Sequence, residues 1–304
     1  MIDRRGFLVA AASAAVSAPA FALGEPGRTA RSAALHRAAH QIIDAPPVFV
    51  DPYALPILGP DAEKEISNSL ERRQRAGSRF MRAFIVARSQ YAEDELARGL
   101  ASGIRQYVVL GAGLDTFAYR NPHGAELSVF EIDHPATQAW KQQTLQKFGI
   151  SVPPNVKYVA VDFEHELLGA KLAASGFRRD VPTFVSWLGV TMYLTKNAVN
   201  DTLRTLSETC AKGSRLVFDY AVPNEMLSER EQRSRERRAA RVESIGEPWI
   251  GFFRPDELSD EMQARGFRDV VTIDADALNQ RYFRNRQDGL KISGTSGRIL
   301  DAQL

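Results

Sequence analysis

Three short stretches carry side chains whose types and spacing suit a ligand. The first is QYVVLGAG, residues 106–113, an apolar run that stops at Gly111-Ala112-Gly113. A Gly-x-Gly turn at the end of a strand lets a ligand approach the backbone, because a Cβ there would collide with it. The second stretch, LSVFEID, ends in Glu131 and Asp133, about twenty residues on, the separation at which a carboxylate can meet ribose hydroxyls. The third, VKYVAVDF, ends in Asp162-Phe163, an acid and a ring that suit the amino group and the face of an adenine. A dinucleotide fingerprint would want a third glycine or alanine where Thr116 stands, and a P-loop would want Gly-Lys-Ser/Thr. The three stretches together fit an adenosyl ligand that carries no pyrophosphate.

Elements that could hold such ends follow from the hydrophobic pattern. From residue 104 onward, short apolar runs alternate with amphipathic segments: strands at QYVVLG, LSVFEID, VKYVAVD, PTFVSWLG and SRLVFDYAV, and helices between them. Pro135 is well placed for the first turn of one helix, and Gly213 is expected to end KNAVNDTLRTLSETCAKG. This alternation predicts an α/β fold with a doubly wound, mostly parallel, Rossmann-like sheet, whose ligands bind at the carboxyl ends of the strands. Ahead of it stands a helical preface: a helix over 28–44, an irregular Pro-rich segment, then helix from about Ala62 to Gly103. A helix and strand in RPDELSDEMQARGFRDVVTIDA and a polar tail from Asn285 close the chain. Residues 23–304 therefore read as one domain, a helical cover over 28–103 and a sheet core over 104–304.

Composition narrows the function classes. The 304 residues hold 39 Lys plus Arg against 37 Asp plus Glu, too balanced a charge to argue for nucleic acid or an anionic membrane surface. Cys210 is the single cysteine, expected on the buried side of a helix and unable to form an internal disulfide. Residues 1–22 begin with Arg4-Arg5 and end in Ala20-Phe21-Ala22, a twin-arginine signal pattern that implies export to the periplasm or cell envelope, with the cytoplasm as the alternative. The segment LSEREQRSRERRAARVES interleaves both charge signs and reads as an exposed helix or a cover.

Several of these stretches occur together in a known order. The chain resembles the S-adenosylmethionine-dependent methyltransferases of the leucine carboxyl methyltransferase type, in their bacterial branch. The resemblance runs from Gly27 to about Gly289 and rests on RTARSAALHRAAH, DPYALPILG, IVARSQYAEDEL, VVLGAGLDTFAYR, VFEIDHPATQAWK, VAVDFE, MYLT, RLVFDY and GEPW. It implies S-adenosyl-L-methionine as cofactor, with Gly111 and Gly113 behind its methionine part, Asp133 on its ribose, and Asp162 with Phe163 on its adenine. It also implies that Arg88 reaches the cofactor carboxylate, for which a bidentate guanidinium is suited. Many members carry an acid just before the glycine that ends the fourth strand, near the cofactor's amino group, but this chain reads Trp187-Leu188-Gly189. Either another group neutralises the ammonium or affinity suffers, by on the order of 1.5–3 kcal/mol.

The expected activity is methyl transfer to an oxygen nucleophile, a carboxylate or a hydroxyl, of a small molecule or peptide. A non-catalytic binding protein that kept the fold is the alternative. A carboxylate needs no general base, whereas a hydroxyl or amine does, and Tyr193, Asp219, Tyr220 and Glu247 lie on segments that could border the cleft. None of the four has a sequence signal that sets it apart from a structural residue. His36 and His40 have metal-compatible i, i+4 spacing but no HExxH context, so no metal is expected. His134 reads as a cleft-edge residue, and Trp140, Trp187 and Trp249 as core or cleft wall. A nucleic-acid methyltransferase would show an Asn/Asp-Pro-Pro-aromatic or Pro-Cys motif after the fourth strand, and WLGVTMYLT has neither.

Overall fold

A computed structural model of the chain describes residues 27–162 and 166–304, so the signal pattern and Phe163 lie outside the described residues. Among the described residues seven strands form one sheet in the order β3-β2-β1-β4-β5-β7-β6. They are β1 (Gln106–Leu110), β2 (Ser128–Asp133), β3 (Val156–Ala160), β4 (Thr183–Trp187), β5 (Arg215–Ala221), β6 (Arg268–Ile273) and β7 (Gly297–Gln303). The first five are mutually parallel, and β7 runs antiparallel between β5 and β6. The doubly wound α/β expectation holds, with one addition: GRILDAQ, read from sequence as part of a polar tail, is a sheet strand.

Eleven α-helices surround the sheet among the described residues: α1 (Arg28–Ile43), α2 (Ala62–Ser67), α3 (Leu70–Gln74), α4 (Ala76–Ala101), α5 (Phe117–Arg120), α6 (Pro135–Lys147), α7 (Leu168–Ala174), α8 (Lys196–Thr209), α9 (Glu229–Glu243), α10 (Pro255–Ala264) and α11 (Ala275–Tyr282). The single helix expected over 62–103 is broken into α2, α3 and α4. Arg75, extended at ψ 146°, makes the last break. The helix over 196–213 ends earlier than expected, at Thr209, and Gly213 (φ 85°) serves the turn into β5 instead. Cys210 stands at that helix's end, partly buried, where burial pushes its thiol up to about 12 and leaves it inert.

Alternation along the strands builds two cores. Tyr107, Val109, Phe184 and Val217 face the helices of the cover, while Val108, Leu110, Val185, Trp187 and Phe218 face the layer that holds α7, α8 and α10. Both faces are covered, so β1 and β4 are buried at every position, as parallel strands between helices require.

Buried charge ties the second strand to its helix. Glu131 lies in the interior beneath Asp133, where Lys141 of α6 donates to its carboxylate at 2.8 Å and Tyr119 at 3.0 Å. Of the two acids at the end of β2, Glu131 is therefore committed to packing and Asp133 alone reaches the strand end. Lys141→Met strands that carboxylate without its cation and should cost about 3–5 kcal/mol in urea denaturation, most of it recovered in the Glu131→Gln, Lys141→Met double variant.

Candidate cofactor site

The glycine turn follows β1. Gly111 and Gly113 have φ of 63° and 45°, values that disfavour any side chain. A Cβ on Gly111 would strike the Val190 side chain, and one on Gly113 would stand 3.4 Å from the Cβ of Ala30 in α1. The turn is thus pressed between the loop after β4 and the first helix of the cover. Ala112 N donates to Ile132 O at 3.0 Å, and Gly113 N donates to Asp133 Oδ2, so the second strand end fixes the turn of the first.

Asp133 accepts a further bond from His134 N at 2.6 Å. Burial pushes its carboxyl above the ordinary value, against the pull of these two backbone donors. Val161 N donates to Asp133 O at 2.9 Å, which sets the end of β3 beside it and brings Asp162 into the row. Gly111, Gly113, Asp133 and Asp162 accordingly lie on three adjacent strand ends, the arrangement anticipated from sequence. His134 caps α6, its Nδ1 accepting from Ala136 N at 3.3 Å.

Thr116, where a dinucleotide fingerprint would carry glycine, is fully buried and accepts from Arg120 Nε at 3.1 Å. The Arg120 guanidinium also pairs with Glu93 of α4 and lies over the Phe49 ring. Arg37 of α1 reaches the same region, donating to Leu114 O at 2.5 Å and pairing with Asp51 at 3.4 Å. The loop after the glycine turn is therefore pinned by guanidinium groups from two directions.

Arg88 of α4 comes to the ends of β4 and β5, where its Nη1 donates to Asp219 Oδ2 at 2.6 Å. Its Nε is buried with no hydrogen-bond partner among the described residues. An orphan guanidinium donor beside Gly189 fits the amino-acid part of S-adenosylmethionine, and Asp133 and Asp162, at the ends of β2 and β3, fit its nucleoside.

A cover closes over this row. Glu247 binds the start of α1, accepting from Arg28 N at 2.8 Å, from Thr29 N at 3.1 Å and from Thr29 Oγ1. That helix has no acid in its own first turn, so Glu247 supplies both the missing acceptor and the charge that favours a helix start. The segment is held down by Ile250 N and Gly251 N, which donate to Met192 O at 2.8 and 3.0 Å. A Cβ on Gly251 would meet the Leu194 carbonyl oxygen at 2.7 Å, so no larger residue fits this crossing. Tyr193 lies beneath with its hydroxyl beside Trp249 and Thr29, and burial raises its pKa and keeps it a neutral phenol.

Tyr220 faces away from the site, buried against Thr272. Trp187 is wholly core. Both ring nitrogens of His40 are taken: Nδ1 meets Asp44 at 2.8 Å and Nε2 accepts from Val48 N at 2.8 Å. Sequence reading missed Arg37, Glu93 and Arg120, which bear on the site only through the backbone they hold.

Residues 30–207 match the family model for leucine carboxyl methyltransferase. YktD of Bacillus subtilis, described as a candidate S-adenosyl-L-methionine-dependent methyltransferase, is 34% identical over 206 residues, 67% of each chain. A protein of Mycolicibacterium vanbaalenii with the same description is 30% identical over 258 residues, 77% of this chain and 81% of that one. Some curated relatives are matched over less of their length, down to 45%. Among solved structures, a DUF574 family protein of Streptomyces avermitilis shares the fold at a TM-score of 0.56 and 17% identity, over 90% of this chain and 96% of that one.

The clamp on α1 is open to direct measurement. Glu247→Ala should speed hydrogen exchange at the Arg28 and Thr29 amides by about tenfold or more while the amides of β1 and β4 keep their protection. Unchanged exchange at those two amides would mean that α1 is held by other contacts.

Proposed function

We propose, from the premise that this chain belongs to the leucine carboxyl methyltransferase family of S-adenosylmethionine-dependent methyltransferases, that it transfers the methyl group to an oxygen nucleophile, and that a carboxylate is the acceptor best suited to its site. The observation that carries the choice is the charge of α9. Arg235 is buried on the Phe252 ring and donates to Val222 O at 2.6 Å, and Arg238 lies over the Phe80 ring beside Met81. Neither has an ion-pair partner among the described residues, and Arg235 Nη2 and Arg238 Nε are buried without hydrogen-bond partners. One helix turn on, Arg241 acts on His36 of α1, whose pKa burial and the arginines Arg82, Arg73, Arg88 and Arg241 lower to about 3.

Arg73, Arg82 and Arg88 are balanced by Glu65, Asp44 and Asp219, so the positive charge left over among the described residues is that of Arg235 and Arg238 on α9. Such a charge raises the local concentration of anions and binds a carboxylate through guanidinium donors. A carboxylate arrives already ionised, so the site needs no base. His36, lowered to about 3, would be a poor one. The bound cofactor supplies an electrophilic methyl on a sulfonium with a good leaving group. The chain's own contribution is then alignment and exclusion of water, the part assigned to the α1, Glu247 and Tyr193 cover.

In this reading the methionine part passes the turn of Gly111 and Gly113, whose Cβ positions Val190 and Ala30 border, Arg88 takes its carboxylate, Asp133 takes the ribose hydroxyls, and Asp162 with Phe163 takes the adenine. Asp133→Ala should weaken binding of S-adenosylmethionine in calorimetric titration by about tenfold or more. Wild-type affinity should fall as pH drops through the Asp133 pKa, which burial sets above its ordinary 3.8. The sign follows from protonation, which removes an acceptor that the hydroxyls need. Wild-type chain that binds no cofactor would overturn the assignment.

The acceptor class is tested by a panel of small carboxylates, phenols and amines, reading S-adenosylhomocysteine formed. Carboxylates should lead, and their products should release methanol under mild alkali, as esters do and ethers do not. Turnover with amines alone would refute the oxygen-nucleophile reading. Residues 1–22 belong to the same proposal as an export signal. Arg4→Lys with Arg5→Lys should hold the full chain in the cytoplasm on cell fractionation.

A further inference from the structure

Leu188 stands where the family resemblance leads one to expect an acid, and the structure offers a replacement one strand away. The pairing of Trp187 with Phe218 brings Leu188 and Asp219 level at the ends of β4 and β5. Asp219 is fully buried, and each of its carboxylate oxygens is bonded: Oδ2 by Arg88 Nη1 at 2.6 Å, Oδ1 by Gly189 N at 2.5 Å. Thr191 Oγ1 donates to the Asp219 carbonyl at 2.7 Å, which fixes the backbone as well. A Cβ on Gly189 (φ 77°) would come within 2.5 Å of Arg88 Nη2, so the guanidinium lies across the strand end only because that residue is glycine. Arg88 Nε is buried and has no hydrogen-bond partner among the described residues.

We propose that Asp219 is the positioning residue for the amino-acid end of the cofactor: it holds Arg88 in place for the carboxylate and supplies, from the neighbouring strand, the negative charge that Leu188 cannot give the ammonium. The inference rests on the cofactor reading above. Its physical basis is charge matching. An amino-acid head is a zwitterion, and a lone arginine would attract its carboxylate while repelling its ammonium. A buried Arg–Asp pair presents both signs and remains neutral when no ligand is bound, so neither state leaves an uncompensated charge in the interior. Removing the family acid from β4 is tolerable when β5 brings another to the same level.

Two ligands separate this role from a merely structural one. S-adenosylhomocysteine carries the amino-acid head, and 5′-methylthioadenosine carries the nucleoside without it. Asp219→Asn in the full chain should weaken S-adenosylhomocysteine binding about ten- to a hundredfold in calorimetric titration and leave 5′-methylthioadenosine binding within about threefold. Adding Leu188→Asp to Asp219→Asn should restore at least about tenfold of the loss, because the acid then stands at the family position. Equal loss for both ligands, or no loss for S-adenosylhomocysteine, overturns the inference while the cofactor reading stands. Wild-type chain that binds neither ligand overturns both. Leu188→Asp alone guards against a variant that fails to fold: with the charge already supplied by Asp219 it should not tighten S-adenosylhomocysteine binding, and a gain of about tenfold would overturn the inference.

Discussion

Everything at the site depends on how closely two segments can press on the backbone of Gly111 and Gly113. Val190 occupies the space of one missing Cβ, and Ala30 stands at contact distance from the other. The turn is therefore a junction, and the ends of β1 and β4 and the start of α1 all have to meet there. Asp133 fastens it from the third side through Gly113 N. A side chain at either glycine would require an unfavourable φ and would also push the cover off the sheet.

The helical cover adheres to the sheet through a shared apolar core, and its position over this junction is set by arginines. Arg37 and Arg120 pin the loop after the glycines, Arg82 pairs with Asp44 behind His40, and Arg88 pairs with Asp219 at the strand ends. Guanidinium groups suit the task because each has five donors in a fixed plane and can join a carboxylate, a carbonyl and a ring face at once. Such pairs add little net stability compared with apolar packing, but a misplaced cover would leave several charges buried and unpaired. The network thereby selects one placement of α1 and α4 over the sheet.

Much of this was legible in the sequence. The alternation of apolar runs with amphipathic segments gave the parallel strands, and the acids that end β2 and β3 followed from strand length and ligand chemistry. What stayed hidden shares one cause, namely dependence on partners distant in the chain. Glu131 and Asp133 both read as strand-end acids, and it is the register of β2, with Glu131 level with Val109 and Tyr158, that sets Glu131 inside, where Lys141 meets it. β7 was missed because Arg298 and Asp301 interrupt its apolar pattern; Asp301 is buried beneath Arg215 and Tyr91, which no local window reveals. The arginines of α9 read as solvent-facing because they alternate with glutamates, yet Arg235 turns inward to rings and carbonyls supplied by loops.

The placement of β7 governs the order in which the sheet can be assembled. Among the described residues β6 reaches the rest of the sheet only through β7, and β7 pairs with β5 over its whole length, from Arg215 with Gln303 to Ala221 with Gly297. A strand that must enter between two others comes after both in the chain, and neither of those can complete its ladder beforehand. Its contacts span long sequence separations, so the closure entropy is spent before any pairing is gained. Until that insertion, β5 presents an open edge, and Asp219 and the end of the site lie on the unfinished side. Competence to bind a ligand should therefore emerge as one of the last events of folding, together with protection of the β5 amides.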